Sequence, residues 1–193
     1  MKITCVLGSP RENGNSSILA GHFCSTAEKL GAEVKTYSLN KLQFRGCQGC
    51  MLCKTKLEKC ALKDDLAEVL EAVRETDVLV LTSPVYFWDV SSQAKAFLDR
   101  TFSYLVPDFI TNPKKSRLAP GKKLVMILTQ TNPDPNSFTD IFPRFDYFFK
   151  AYGFSETRLI RAVGVREAGD VKDRRDILAM AEKIAEELCG ARL

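Results

Sequence analysis

Apolar residues in this chain fall into short runs separated by stretches with helical spacing. Lys2–Leu7 is an apolar run ended by Gly8-Ser9-Pro10, which predicts a buried strand. Ser16–Leu30 reads as a helix with Gly31 at its C-terminal cap. Glu33–Ser38 alternates and predicts a second strand. Leu66, Val69, Leu70 and Val73 recur on one helical face, and Asp64 stands ready as the N-cap. Asp77–Thr82 contains Val78-Leu79-Val80-Leu81, continuous in the way of a parallel strand covered on both faces. Ser83–Asp89 then reads as a turn, Ser91–Tyr104 as a helix, and Pro107–Lys123 as an exposed Pro- and Lys-rich excursion. Leu124–Thr129 predicts a fourth strand and Thr157–Ala162 a short fifth. The helix around Phe138–Ala151 carries a disturbance at Pro143. Asp170–Leu188 closes the chain as a helix with Ile177, Met180, Ala181, Ile184 and Leu188 on one face.

Five strands alternating with helices predict an α/β fold, a three-layer α/β/α sandwich around a five-stranded parallel sheet. Right-handed crossovers and a central first strand favour the order 2-1-3-4-5, with the ligand beyond the carboxyl ends of the strands. A length of 193 residues fits one domain spanning 1–193.

Composition narrows the function. The chain is 45% hydrophobic and 27% charged, which is ordinary for a globular protein and argues against disorder. A net charge of +4 is too small and scattered for nucleic acid, but it suits an anionic ligand such as a phosphate. No apolar run approaches the roughly 18–20 residues of a membrane span. Only a strand's length of apolar residues precedes Gly8, so no secretory signal is expected. The expected compartment is the reducing cytoplasm, where thiols stay free unless they bind metal or do redox work. A single histidine, His22, sits within the first helix, which argues against a Ser-His-Asp hydrolase. Cys5, Cys24 and Cys189 read as small apolar residues.

The segment Gly8-Ser9-Pro10-Arg11-Glu12-Asn13-Gly14-Asn15-Ser16-Ser17 runs from a strand end into a helix start, where free N–H groups and the helix dipole favour an anion. Ser9, Ser16 and Ser17 add hydroxyls, Asn15 an amide and Arg11 a charge, while Gly14 permits close backbone approach. The Walker A lysine and the GxGxxG spacing are both missing, so a monophosphate fits best. The alternative is a plain polar turn with a helix cap. After the third strand, Tyr86-Phe87-Trp88 puts three aromatics in a loop that does not need them. They would wall a planar ring ligand, or else plug the sheet end.

Four of the seven cysteines crowd one loop as Cys47-x2-Cys50-x2-Cys53-x6-Cys60. That spacing can wrap one iron–sulfur cube, whereas structural zinc more often uses two separated knuckles. Lys54, Lys56 and Lys59 would offset thiolate charge. The alternative is a set of reduced thiols.

These motifs together resemble the NADPH-dependent FMN reductase group of flavodoxin-like proteins, which includes the iron–sulfur flavoproteins. The matching residues are Gly8-Ser9-Pro10-Arg11 with Gly14-Asn15-Ser16, then the cysteine loop ending in Lys63-Asp64-Asp65. Ser83-Pro84-Val85-Tyr86-Phe87 with Lys95-Ala96-Phe97-Leu98-Asp99-Arg100 follow, so the match covers about the first 130 residues. The resemblance implies a flavodoxin-like fold with FMN as cofactor. Ser9, Arg11, Asn15, Ser16 and Ser17 would hold its phosphate. Pro84, Val85, Tyr86, Phe87 and Trp88 would line its ring, and Thr129 and Gln130, with Thr131-Asn132, would close the other side. Trp88-Asp89 departs from the small or amide residues common there, and a carboxylate near the ring would disfavour its anionic reduced form.

The implied function is an FMN-dependent oxidoreductase that passes electrons from NAD(P)H to a small acceptor: a quinone, a flavin, a nitro compound or a metal ion. One alternative is an iron–sulfur flavoprotein electron carrier with a 4Fe–4S cluster on Cys47, Cys50, Cys53 and Cys60, loaded by ferredoxin. Another is a non-enzymatic FMN-binding redox sensor. A homodimer or homotetramer is expected, with Phe102–Val106 and the excursion after it as a contact.

Overall fold

A computed structural model describes residues 1–190. Five parallel strands form its sheet: β1 (Lys2–Leu7), β2 (Glu33–Ser38), β3 (Val78–Tyr86), β5 (Lys122–Thr129) and β6 (Phe154–Ala162). They lie in the order β2-β1-β3-β5-β6, and a two-residue strand β4 (Asp89–Val90) pairs antiparallel with the end of β3. The five parallel strands thus keep the expected 2-1-3-4-5 order, and β4 is an addition to it. Six α-helices accompany them: α1 (Asn15–Lys29), α2 (Leu52–Thr55), α3 (Leu66–Glu75), α4 (Ser92–Arg100), α5 (Ile141–Ala151) and α6 (Arg175–Cys189).

Alternation along each strand sends side chains to opposite faces, and both faces are covered. One face carries Ile3, Cys5, Val78, Val80, Val125 and Ile127 against Leu19 and Phe23 of α1 and Ala181 and Ala185 of α6. The other carries Val6, Leu79, Leu81, Leu124, Met126 and Leu128 against α3, α4 and α5. This is why the strands read as continuous apolar runs. The buried thiols belong to this packing. A hydrogen bond to Cys24, together with burial, pushes the Cys5 thiol well up, which keeps it protonated and inert. His22 joins α1 to α6, its Nε2 lying 2.8 Å from Glu182 Oε1.

Three sequence expectations are corrected. Ser83–Asp89 is not a simple turn, because β3 continues to Tyr86 and folds back through a hairpin. Pro143 causes no disturbance, since it falls in the first turn of α5, where its missing N–H has no intrahelical role. The N-cap of α3 is Asp65, which makes no side-chain cap bond, and not Asp64. The Asp64 carboxylate instead grips Arg100.

Candidate functional site

Parallel registration decides where the loops meet. Leu7 pairs with Thr82, and Pro84 pairs with Thr129. The loops after β1, β3 and β5 therefore leave the sheet side by side at its carboxyl edge.

In the first loop, Gly8 is held to β3 by its N–H, which donates to the Thr82 carbonyl at 2.9 Å. A Cβ at Gly8 would stand 2.5 Å from that carbonyl oxygen, so only glycine fits. Ser9 is buried, and its hydroxyl accepts from the Arg11 N–H at 3.2 Å. Helix α1 starts behind Gly14 with no side-chain cap, so its first-turn N–H groups lack a side-chain acceptor. Ser16, just inside that turn, is 1% exposed, and its Oγ has no hydrogen-bond partner. Buried hydroxyls are normally satisfied, so this orphan marks a place prepared for an acceptor. A phosphate there would meet helix N–H groups, a favourable dipole and the Ser16 hydroxyl.

Arg11 and Asn15 face the chain after β6. Arg11 Nη1 donates to the Arg166 carbonyl at 2.8 Å. Asn15 Nδ2 donates to the Glu167 carbonyl at 2.9 Å, and its Oδ1 accepts from the N–H groups of Gly169 and Val171. The Asn15 amide is thus occupied in strapping α1 to the loop after β6.

The second loop is the β3–β4 hairpin. Its two-residue turn, Phe87-Trp88, has φ of 43° and 69°. Positive φ at both positions is the geometry that Asn-Gly usually fills. Bulky residues there are strained, which commonly marks a functional site. The strain presents Phe87 at 92% exposure and Trp88 at 69%. Trp88 meets Phe138 edge-on at 6.0 Å, itself a residue at positive φ. Asp89 lies 3.3 Å from Arg144 of α5, so its charge is offset by a cation.

The third loop follows β5. Gln130 is buried, and Arg161 donates to its Oε1 while its Nε2 donates to the carbonyls of Asn132 and Asp134. Its side chain is fully occupied in shaping the loop. Thr129 is buried at the strand end.

All four loop cysteines are free thiols, with Cys47 and Cys50 exposed and Cys53 and Cys60 half-buried. Cys47 borders an apolar hollow of about 410 Å³ between α4 and α5, whereas Cys60 borders a different hollow of about 500 Å³ against α3. Among the described residues, no three His, Cys, Asp or Glu side chains gather as a metal site. As folded, the loop does not fit a cluster. Between the thiols, Lys54 is buried, and its ammonium donates to the carbonyls of Phe102 and Leu105, both at 2.6 Å. Burial pulls that ammonium below its usual value, while Cys53 and Cys47 act the other way.

Residues 1–132 match the family model described as NADPH-dependent FMN reductase. The chain belongs to this family. An iron–sulfur flavoprotein of Archaeoglobus fulgidus is 38% identical over 104 residues, covering 54% of this chain and 47% of that protein. One from Methanocaldococcus jannaschii is 38% identical over 101 residues, 52% of each chain. The chain thus spans about half the length of these curated relatives in its matches. Among solved structures, an NAD(P)H:quinone oxidoreductase from Methanothermobacter marburgensis superposes with a TM-score of 0.76 at 18% identity, over 97% of this chain and 96% of that one. An FMN-dependent NADH-azoreductase from Bacillus anthracis, in complex with FMN, gives 0.68 at 15% identity over 98% and 97%. At these identities the likeness establishes the flavodoxin-like fold.

The loops after β1 and β3 are further joined by Ser91, to which sequence reasoning gave no role in the site. Ser91 is fully buried. Its hydroxyl donates to the Gly8 carbonyl at 2.6 Å and accepts from the Ala94 N–H, which caps α4. The Ser91 N–H donates to Ser83 Oγ at 2.8 Å. Serine two residues before an alanine-rich helical stretch is an N-cap signal, but its bond to Gly8 spans 83 positions and leaves no local trace. Ser91→Ala is expected to destabilise the protein by about 1–2 kcal/mol through the lost cap. Urea unfolding of both proteins measures this, and an unchanged midpoint would deny the cap its role.

Proposed function

We propose that the protein is an FMN-dependent oxidoreductase that takes electrons from NAD(P)H. The observation that carries this reading is the partnerless Ser16 hydroxyl, buried at the uncapped start of α1 beside a strained aromatic hairpin. The donors present fit a phosphate monoester: Ser9 and Ser16, with Ser17 and the first-turn N–H groups of α1. Arg11 would add its charge from the rim, and Asn15 would act by holding the loop. Pro84, Val85, Tyr86, Phe87 and Trp88 would wall the ring on one side, with Thr129 and the backbone of Gln130 on the other. Bound FMN would supply the hydride and electron chemistry. The chain's part is to anchor, orient and shield, and no protein nucleophile is required.

An open, apolar-walled site suits a flat acceptor such as a quinone, a flavin or a nitro compound, and a metal ion could also take the electrons. The exposed thiols suit a reducing cytoplasm. Among the described residues, no helix is long and apolar enough to cross a membrane. The exposed side chains of Phe87, Ile110, Tyr147 and Phe148 support a homodimer or homotetramer.

The second reading is a 4Fe–4S electron carrier, with ferredoxin as donor. It rests on the spacing of Cys47, Cys50, Cys53 and Cys60 and on the iron–sulfur flavoprotein names of the relatives. Because the thiols do not gather as folded, the loop would have to close around such a group.

One experiment tests both. Protein loaded with FMN and desalted should stay yellow, and NADH or NADPH should bleach it anaerobically. Colourless protein after desalting rejects the FMN reading. Iron and acid-labile sulfide near four per chain would move the assignment to the second reading.

A further inference from the structure

We propose that Arg100 is a positioning residue that clasps both ends of the cysteine loop to the C-terminal end of α4, fixing where the loop thiols stand relative to the phosphate and ring loops. The inference rests on the FMN reading only in naming what lies at the other end of α4.

Arg100 is 1% exposed. Nη1 donates to the Arg45 carbonyl at 2.8 Å, two residues before the first loop cysteine. Nη2 reaches toward the Leu62 carbonyl at 3.5 Å, two residues after the last. Between these contacts the guanidinium grips Asp64 with two prongs, at 2.8 and 3.0 Å. Planar, two-pronged recognition of this kind is particular to arginine. The Cys60 thiol borders the same guanidinium. Nε alone lacks a partner.

Two carboxylates complete the clasp. Asp64 Oδ2 also accepts from the Arg45 N–H at 3.2 Å. Asp65 Oδ2 accepts from the Gln43 N–H at 2.7 Å, while the Asp65 N–H donates to the Gln43 carbonyl. The incoming and outgoing strands of the loop are therefore tied to each other and to one helix end. At the loop's middle, Arg117 donates to the Cys53 carbonyl at 3.1 Å, and Lys54 holds the carbonyls of Phe102 and Leu105.

Helix α4 is the connecting rod. Its nine residues span roughly 14 Å at 1.5 Å per residue. Ser91 anchors the front end to Gly8, and Arg100 holds the loop at the back. The motifs Lys63-Asp64-Asp65 and Phe97-Leu98-Asp99-Arg100, which the ligand loops leave unexplained, thereby acquire a joint purpose.

The test uses the full chain, anaerobic and reduced. Arg100→Ala is expected to raise amide exchange across residues 43–65 and alkylation of Cys60 by about tenfold or more. Exchange in β1 and β3, alkylation of Cys5 and Cys24, and FMN affinity should stay at wild-type values. Added methylguanidinium should restore slow exchange, and Arg100→Lys should behave like the alanine variant, since an ammonium cannot form the fork. Wild-type behaviour of Arg100→Lys, no rescue, or acceleration spread over the whole sheet would overturn the proposal. If Arg100→Ala does not fold, Asp65→Ala decides, because Asp65 is exposed, its loss buries no lone charge, and alanine removes the acceptor of the Gln43 N–H that asparagine would keep. Faster exchange confined to the two loop ends supports the clasp, and unchanged exchange there refutes it. Wild-type protein that fails to bind FMN would sink the FMN reading while leaving these results intact.

Discussion

Replacing Ser16 by alanine is expected to weaken FMN binding by roughly 10- to 100-fold while leaving the FMN-free protein no less stable. The two effects have one cause. In the free protein the Ser16 hydroxyl is buried without a partner, so its removal loses no bond and relieves an unsatisfied polar group. With a phosphate in place, the same hydroxyl would donate to a charged acceptor. Such bonds contribute about 1.5–3 kcal/mol, and each 1.4 kcal/mol is about tenfold in affinity. Alanine is also a good helix former in the first turn of α1. Fluorescence titration with FMN and urea unfolding of the free protein measure the two quantities. Ser25→Ala, on the exposed side of the same helix, should change neither. Equal FMN affinity in wild type and Ser16→Ala would remove this hydroxyl from the site.

The second large effect runs in opposite directions for stability and function. Exchanging Phe87-Trp88 for Asn-Gly should stabilise the protein by about 1–3 kcal/mol. Left-handed backbone costs an ordinary residue roughly 1–2 kcal/mol, and two such residues sit in this turn. Against that gain stands the lost edge contact between Trp88 and Phe138, worth about 0.5–1.5 kcal/mol. For a chain of this size, each kcal/mol moves the melting temperature by about 2–4 °C. The same exchange removes the aromatic wall, so FMN affinity and the rate of bleaching by NAD(P)H should fall together. A lower melting temperature would show that the turn is not strained. Unchanged flavin binding would show that the aromatics serve another purpose.

The correspondence between pattern and fold is closest where the chain is most apolar. Val78-Leu79-Val80-Leu81 and Leu124–Thr129 could only be covered on both faces, and that forces helices onto both sides of a parallel sheet. The glycine-and-serine loop before α1 was legible for a local reason. Its residue types are demanded locally by close backbone approach and a helix start, and Gly8 and Ser16 answer those demands.

A turn was legible within Ser83–Asp89, but the hairpin built on Phe87-Trp88 was not, because neither residue favours positive φ. Their positive φ is imposed by the pairing of Val85 with Val90 and Tyr86 with Asp89. The partners of Asn15 were hidden for a different reason. Residue type made it a phosphate donor, yet its amide is held by Glu167, Gly169 and Val171, more than 150 positions away. Gln130 was assigned to the site by its place after β5, but Arg161 takes its carbonyl oxygen.

By itself the sequence determined the order of strands and helices, the doubly wound class of the sheet and the loop that opens α1. All three follow from periodicity and from local backbone demands, which neighbours along the chain express. Tertiary structure alone decided which polar side chains are free and which are occupied. Ser16 Oγ is left without a partner, whereas the amides of Asn15 and Gln130 and both terminal nitrogens of Arg100 are engaged. A side chain's hydrogen-bond partners are chosen by which distant segments the sheet register brings within about 3 Å, and no local pattern encodes that choice.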